Sequence, residues 1–277
     1  MSALSERNLS LDVIKTLAMF GVMCLHTQIQ YYDNPIARFM YMTAVVSIPL
    51  FFMTSGYLMF GKTSVDYKYS IRKMLGILRF VAIVTIVYWI VIARRHGSSF
   101  LNTTLGSLLQ RGGMGVFWYF GAMLIIYALL PILYRMYTLH PKMFQVFTAT
   151  LGISSVGIFC LNFIGLNIEQ HTIQNFRMWN WLFYFCLGGV VRRHSFKING
   201  YIVLLLFIAN YLLQYYLTPL MPNKYCEYFY PCLLTMFLVF ATFVWGIGLK
   251  LNKLIIILSW GGGGDVFFLA THCTYSS

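Results

Sequence analysis

The chain has 277 residues, of which 59% are hydrophobic and only 10% charged, and its mean hydropathy is +0.71. A water-soluble domain of this size carries about a quarter charged residues, so the composition excludes that class. The net charge of +13 fits an excess of Lys and Arg on the cytoplasmic side of a membrane and attraction to anionic headgroups. It gives no reason to expect a nucleic-acid partner.

Apolar runs long enough to cross a bilayer recur along the chain. Backbone groups in lipid must be hydrogen-bonded within their own segment, which favours helices, and the alternating pattern of a transmembrane barrel is absent. We therefore predict an all-α, polytopic membrane helix bundle that forms one domain over residues 1–277. The predicted spans, about nine in number, are 9–29, 39–60, 74–93, 116–134, 143–165, 178–191, 200–218, 228–249 and 254–271.

The first span, "LDVIKTLAMFGVMCLH", carries Asp12, Lys15 and His26. Lys15 and His26 are eleven residues apart, which places both on one helix face, about 16 Å apart along the axis. Asp12 precedes Lys15 by three residues and is placed to pair with it. Ionisable groups at membrane depth generally face a cavity or a partner. The alternative is that Lys15 snorkels to the headgroups and that His26 merely sits at the interface.

The second and third spans add small and basic residues. Ser55 and Gly56 lie at mid-membrane in "SIPLFFMTSGYLMFGK", where small residues usually allow close helix packing. Arg72, Lys73 and Arg79 follow in "SIRKMLGILRF", with Arg79 inside the span. They are candidates for binding anionic phosphates, or they are ordinary cytoplasmic cations that reach to headgroups.

The fourth span begins with Trp118 and Tyr119. Without further information these residues indicate an aromatic belt at the membrane interface. The long connections 94–115 and 166–177 are predicted to be loops on the outer side, where an acceptor could be held.

The six cysteines show no CxxC or Cys/His spacing, so no metal site is predicted. Cys226 and Cys232 flank an outer connection. They form a disulfide in an oxidising compartment, or they are two unpaired thiols.

Three motifs, in order between Asp12 and Pro131, carry a resemblance to a known family. They are a basic residue, ten residues and His in the first span; Ser-Gly-Tyr-Leu at 55–58; and Trp-Tyr-Phe at 118–120, in a segment that closes at Pro131. This series resembles the acyltransferase-3 family of integral-membrane O-acyltransferases. From about residue 135 to 250 only the arrangement of spans is similar.

The resemblance implies transfer of an acetyl or other acyl group from cytoplasmic acyl-CoA, as a substrate and not a bound cofactor. The acceptor would be a sugar hydroxyl of a surface glycan, such as lipopolysaccharide O-antigen, or of its lipid-linked precursor. A positioned imidazole can remove the hydroxyl proton, which suits His26 as general base. The residues implied are His26, Lys15 and Asp12 for catalysis; Arg72, Lys73, Arg79, Ser55 and Gly56 for the donor; and Trp118 and Tyr119 for the acceptor.

The sorting of Lys and Arg predicts a cytoplasmic N-terminus, and the resemblance implies a multi-pass protein of the plasma (inner) membrane. The chain departs from the family pattern in two places. Leu75 occupies the position of the second Arg in an Arg-x-x-Arg pair. The segment "LSWGGGGDVFFLATHCTYSS" is only weakly similar to a late His-containing segment of the family. The family usually has ten core helices, and this chain stops where a tenth would be expected. One alternative is therefore a truncated or frameshifted, C-terminally defective acyltransferase that lacks a tenth helix. The other alternative is a transporter that moves a small polar or anionic solute along the same stripe.

Overall fold

The computed structural model describes residues 9–27, 33–220 and 225–249. Within these ranges the chain is helical and has no strand, which confirms the predicted all-α class. The helices are α1 (Leu9–Thr27), α2 (Pro35–Thr43), α3 (Ser47–Phe60), α4 (Tyr67–Val91), α5 (Phe100–Leu108), α6 (Trp118–Leu139), α7 (Pro141–Phe163), α8 (Ile168–His171), α9 (Met178–Arg193), α10 (Gly200–Leu217) and α11 (Leu233–Gly248).

Six segments of the described chain are long and apolar enough to cross a membrane, and the predicted nine are not confirmed. The six are Leu9–Thr27, Pro35–Phe60, Tyr67–Val91, Gly115–Leu139, Pro141–Phe163 and Gly200–Leu220. Helices α9 and α11 match predicted spans but have only 16 residues each. A helix of that length rises about 24 Å, less than the roughly 30 Å of hydrocarbon in a bilayer. The predicted span 254–271 lies outside the described residues.

Local capping places two helix starts earlier than predicted. The Asp66 carboxylate accepts a hydrogen bond of 2.7 Å from the Tyr69 backbone N–H, so α4 begins at Tyr67 and not near residue 74. Asn34 caps α2 in the same way through the Ile36 N–H, at 2.9 Å. Polar side chains before an apolar run therefore start these helices instead of lying in loops.

A 3₁₀ turn at Ala44–Val46 divides the second predicted span into α2 and α3. Near this break the Gln214 side chain of α10 donates a hydrogen bond of 3.1 Å to the Met42 carbonyl. The amide of a neighbouring helix thus supports the backbone where the regular helix is interrupted.

Hydrogen bonds to residues in the connections define two ends of the bundle. At the first end, where α1 begins, the Ser10 hydroxyl donates to the Leu249 carbonyl at 2.8 Å, and the Tyr134 hydroxyl donates to the Lys62 carbonyl at 2.7 Å. At the second end, where α1 finishes, the Gln174 N–H donates to the Gln110 side chain at 2.7 Å. The chain passes back and forth between these ends.

The helices form two groups around a shared aromatic and aliphatic core. Helix α3 packs most extensively against α9, and α1 packs against α2, α3 and α11, whereas α4 packs mainly against α5 and α6. The second-end connections predicted as loops 94–115 and 166–177 contain the short helices α5 and α8.

Candidate functional site

Helix α1 carries the polar stripe that the sequence predicts. It is continuous from Leu9 to Thr27, so Lys15 and His26 project from one face about 16 Å apart along the axis. The Lys15 Nζ lies 3.9 Å from an Asp12 carboxylate oxygen, which confirms the predicted ion pair. His26 lies in the last turn, at the second end.

The stripe lies at the margin of the buried face of α1. The buried residues of this helix are Ser10, Leu11, Ile14, Ala18, Gly21, Cys24 and Leu25. Asp12 and Lys15 are each about one-fifth exposed, and His26 is exposed. The stripe is therefore neither inside the core nor on the most exposed side of the helix, and it passes from half-buried at the first end to open at the second.

A cavity of about 250 Å³ adjoins another side of α1 and is lined almost wholly by apolar groups. From α1 it takes Val13, Ile14 and Leu17, and across it lie Phe207 and Trp245. The polar stripe points roughly the opposite way round the helix and does not line this cavity.

Ser55 and Tyr119, predicted for donor and acceptor binding respectively, are brought together. Their side chains interact between α3 and α6. The Tyr119 ring also packs against Phe52, with ring centroids 4.8 Å apart. The two motifs thus meet in space although sixty-four residues separate them.

Gly56 lies in the tightest helix contact of the bundle. A Cβ atom at this position would overlap the Phe185 carbonyl oxygen of α9, and a Cβ at Gly188 of α9 would overlap the Met53 carbonyl of α3. The two glycines let the backbones of α3 and α9 touch, as small residues do between membrane helices.

Trp118 is only 5% exposed and belongs to an aromatic cluster below the second end. Its ring centroid lies 5.1 Å from that of Trp181, which in turn stacks on Phe52 at 4.8 Å. The cluster fixes the start of α6 against α3 and α9.

The predicted donor-binding cations lie on α4, in the other helix group. Arg72 and Arg79 are exposed and about two helical turns apart on one face. Lys73 is 8% exposed, with its Nζ 5.3 Å from the centre of the Tyr69 ring. These cations and the stripe on α1 are therefore positioned by different parts of the bundle.

Two further arginines at the first end were not singled out from the sequence, where they read only as cytoplasmic cations. The Arg192 guanidinium lies 5.0 Å from the ring centre of Tyr57, in the Ser-Gly-Tyr-Leu motif, and a Cβ at Gly61 would lie 2.8 Å from its Nε. Arg193 donates a hydrogen bond to the Tyr137 carbonyl. The motif on α3 thus ends beside the cationic end of α9.

A buried acidic cluster at the second end was also missed. The Glu169 carboxylate accepts hydrogen bonds from the Asn162 and Asn180 amides at 3.0 and 3.2 Å. The Arg177 guanidinium donates to the Glu169 carbonyl at 2.6 Å. Burial raises the pKa of Glu169 to about 7 and also raises that of Glu227, while Arg177 opposes both shifts. The one sequence signal of this cluster is that Glu169 and Glu227 are two of only seven acidic residues in the chain.

Cys226 and Cys232 are both buried and free, so of the two readings left open the unpaired thiols are correct. The Cys226 N–H donates to the Tyr41 hydroxyl at 3.3 Å.

Comparison with known proteins gives one match. Residues 8–264 match a family described as an acyltransferase domain, the acyltransferase-3 domain. No curated protein and no solved structure matches the chain. The matched range contains every motif between Asp12 and Pro131 and all of the described helices. The chain is therefore a membrane protein that belongs to the acyltransferase-3 family, a family of acyltransferases.

Proposed function

We propose that this protein is an integral-membrane O-acyltransferase, most simply an O-acetyltransferase, that uses cytoplasmic acyl-CoA to esterify a sugar hydroxyl on the opposite side of the membrane. The match of residues 8–264 to the acyltransferase family carries this proposal. The acceptor is a surface glycan, such as O-antigen, or its lipid-linked precursor. The membrane is the plasma (inner) membrane.

The distribution of cations supports donor binding at the first end. Among the residues that the structure describes, the basic ones at that end are Lys15, Lys62, Lys68, Arg72, Lys73, Arg135, Lys142, Arg192, Arg193 and Lys197. Fewer are found at the second end, so the positive-inside tendency favours a cytoplasmic first end and N-terminus. Arg72, Lys73 and Arg79 are proposed to bind the CoA phosphates, and Arg192 beside Tyr57 extends this set.

The acyl arm is proposed to pass from the first end along α3, past Ser55 and Gly56. Because Gly56 touches the α9 backbone, the route runs beside the α3–α9 contact and not through it. The interaction between the Ser55 and Tyr119 side chains then links the donor route to the acceptor side. Trp118, which precedes Tyr119 and is buried in the aromatic cluster, supports the acceptor site from the inner side.

In the proposed reaction the sugar hydroxyl oxygen attacks the thioester carbonyl carbon. The His26 imidazole accepts the hydroxyl proton as the C–O bond forms and the C–S bond breaks. The CoA thiolate leaves and takes up a proton, so an ester and a thiol are the products. The exposure of His26 at the second end leaves it open to an acceptor. Asp12 and Lys15 hold the lower part of the stripe through their ion pair.

Reconstitution of the full chain in sealed vesicles tests this proposal. Radiolabelled acetyl-CoA is supplied on one side and the glycan acceptor on the other, and ester-linked label is measured, with NMR of surface polysaccharide from expressing cells as a second readout. We expect a new O-acetyl signal that requires both the protein and acetyl-CoA. Movement of a solute without acyl-CoA, together with no ester, would show a transporter instead.

A further inference from the structure

Helix α5 has two unlike faces. It begins after Ser99, whose hydroxyl accepts a hydrogen bond of 3.2 Å from the Asn102 N–H. Ser107 and Leu108 are buried against the bundle, whereas Leu101 and Leu105 are 69% and 57% exposed. The helix therefore presents leucines away from the protein, in a connection predicted to be a polar loop.

Three contacts fix α5 to its neighbours. The hydroxyl groups of Thr104 on α5 and Thr85 on α4 are 2.9 Å apart. The Trp89 indole N–H donates to the Ser98 carbonyl at 2.7 Å, just before α5 begins. A Cβ at Gly121 of α6 would overlap the Leu108 carbonyl, so the end of α5 packs directly on α6. The orientation of the exposed leucines follows from this docking.

The contact with α4 sets the depth of α5. Thr85 lies six residues before the last residue of α4, Val91, which is about 9 Å along the axis. At and beyond this level Ile86, Val87 and Ile90 of α4 are exposed. The exposed leucines of α5 thus lie level with an apolar, lipid-facing part of a membrane-spanning helix.

Cations flank α5 on both sides. Arg94 and Arg95 lie in the 3₁₀ turn at the end of α4, and Arg111 follows α5; all three are exposed. The stretch 92–117 contains no acidic residue. In the parts of the chain that the structure describes, none of these three arginines has an ion-pair partner.

We propose that α5 lies in the membrane interface at the second end and that Arg94, Arg95 and Arg111 bind the phosphate groups of anionic phospholipids. An interfacial helix buries its apolar face at the level of the acyl chains while its basic residues reach the headgroups. The leucines and arginines of this segment meet both requirements, and the excess of positive charge selects anionic over zwitterionic lipid. The proposal is independent of the catalytic assignment.

Site-directed fluorescence in vesicles tests this placement. The full chain with Cys160→Ser, Cys273→Ser and Leu101→Cys is labelled at residue 101 and reconstituted in phosphatidylcholine vesicles that contain phosphatidylglycerol. Quenching is compared between nitroxide-labelled phosphatidylglycerol and nitroxide-labelled phosphatidylcholine at equal fractions. We expect quenching by both lipids, stronger with phosphatidylglycerol, and weak quenching by aqueous iodide. A label at Ser195→Cys, in an exposed first-end connection, should be quenched weakly by both nitroxide lipids and strongly by aqueous iodide.

The arginines are tested by replacing all three with Gln. The preference for phosphatidylglycerol should fall by about fivefold for each charge removed, and replacement by Lys should retain it. A matched triple replacement by Gln at the first end, Arg135, Lys142 and Lys197, should leave it unchanged. Equal quenching by the two nitroxide lipids when Arg94, Arg95 and Arg111 are all present would overturn phosphate binding. Quenching by iodide alone, or by no reagent because protein covers the label, would overturn the interfacial placement.

Discussion

At the scale of single residues, Glu169 is the most unusual acid of the described chain. It is fully buried, and its hydrogen bonds come from two asparagines on different helices. Arg177 is the nearby cation for both Glu169 and Glu227. Since one guanidinium cannot balance the buried Glu169 and the partly buried Glu227, the cluster retains a proton to a higher pH than an exposed acid does.

Stability should therefore fall as pH rises through the range in which Glu169 ionises. Because its pKa is about 7 in the folded protein against an ordinary 4.5, the folded state binds more protons than the unfolded state between these values. The contribution of Glu169 to the free energy of unfolding is most favourable below about pH 4.5. It is lost by about pH 7, and the loss is on the order of 3 kcal/mol. Thermal unfolding of the purified protein from pH 5 to 8 measures this slope.

Glu169→Gln should flatten the slope because the titrating group is removed. Asp33→Asn is the matched control, since Asp33 is an exposed acid at the same end. An unchanged slope in Glu169→Gln would contradict the assignment of this proton to Glu169.

Single residues also show what sequence can predict about a site. The Asp12–Lys15 pair was predictable because both residues lie on one helix, three positions apart. The Glu169 cluster was not, because its partners come from separate segments of the chain. The interaction between Ser55 and Tyr119 was not predictable for the same reason. The resemblance placed Ser55 and Tyr119 in different roles, and only the packing of α3 on α6 reveals that they touch.

At the scale of helices, the contact between α3 and α9 depends on Gly56. Gly56→Ala should push the two backbones apart and lower the free energy of unfolding by about 1–3 kcal/mol. Thermal unfolding in detergent measures this change. Gly157→Ala, on an open part of α7 where an added Cβ meets nothing within 4 Å, should be neutral or slightly stabilising.

Activity per folded molecule separates packing from donor binding at Gly56. If the glycine only permits packing, Gly56→Ala should lose activity in proportion to folded protein. A large rise in the KM for acyl-CoA at unchanged stability would contradict the packing account and favour a direct role in the donor route.

Helix existence was largely predictable, whereas helix ends and short helices were not. Long apolar runs predicted α1, α6, α7 and α10 because lipid-facing helices need them. Capping by Asp66 extended α4 into residues that polarity had assigned to a loop. Helix α5 was not predicted from the sequence because its nine residues mix leucines with small polar residues. It is stabilised by docking on α4 and α6.

At the scale of the whole molecule, successive connections lie alternately at the first and the second end of the bundle. This alternation predicts the side of the membrane on which each connection lies. In a background with Cys160→Ser and Cys273→Ser, the test positions are Ser98→Cys and His171→Cys at the second end, and Ser64→Cys and Ser195→Cys at the first. A membrane-impermeant thiol reagent applied to intact cells should label only the second-end pair, and the first-end pair should react after permeabilisation. This result requires the 16-residue helix α9 to cross the membrane. Labelling of both pairs from outside would contradict the alternation.

The central proposal is that the His26 imidazole, at the second end of α1, acts as the general base of acyl transfer. The most direct measurement is the initial rate of ester formation by reconstituted protein supplied with acyl-CoA and acceptor. His26→Ala should lower this rate by about 10²–10⁴-fold while the helical content stays unchanged. His140→Ala, which removes an exposed imidazole at the first end, should keep the full rate. A wild-type rate in His26→Ala would contradict the account.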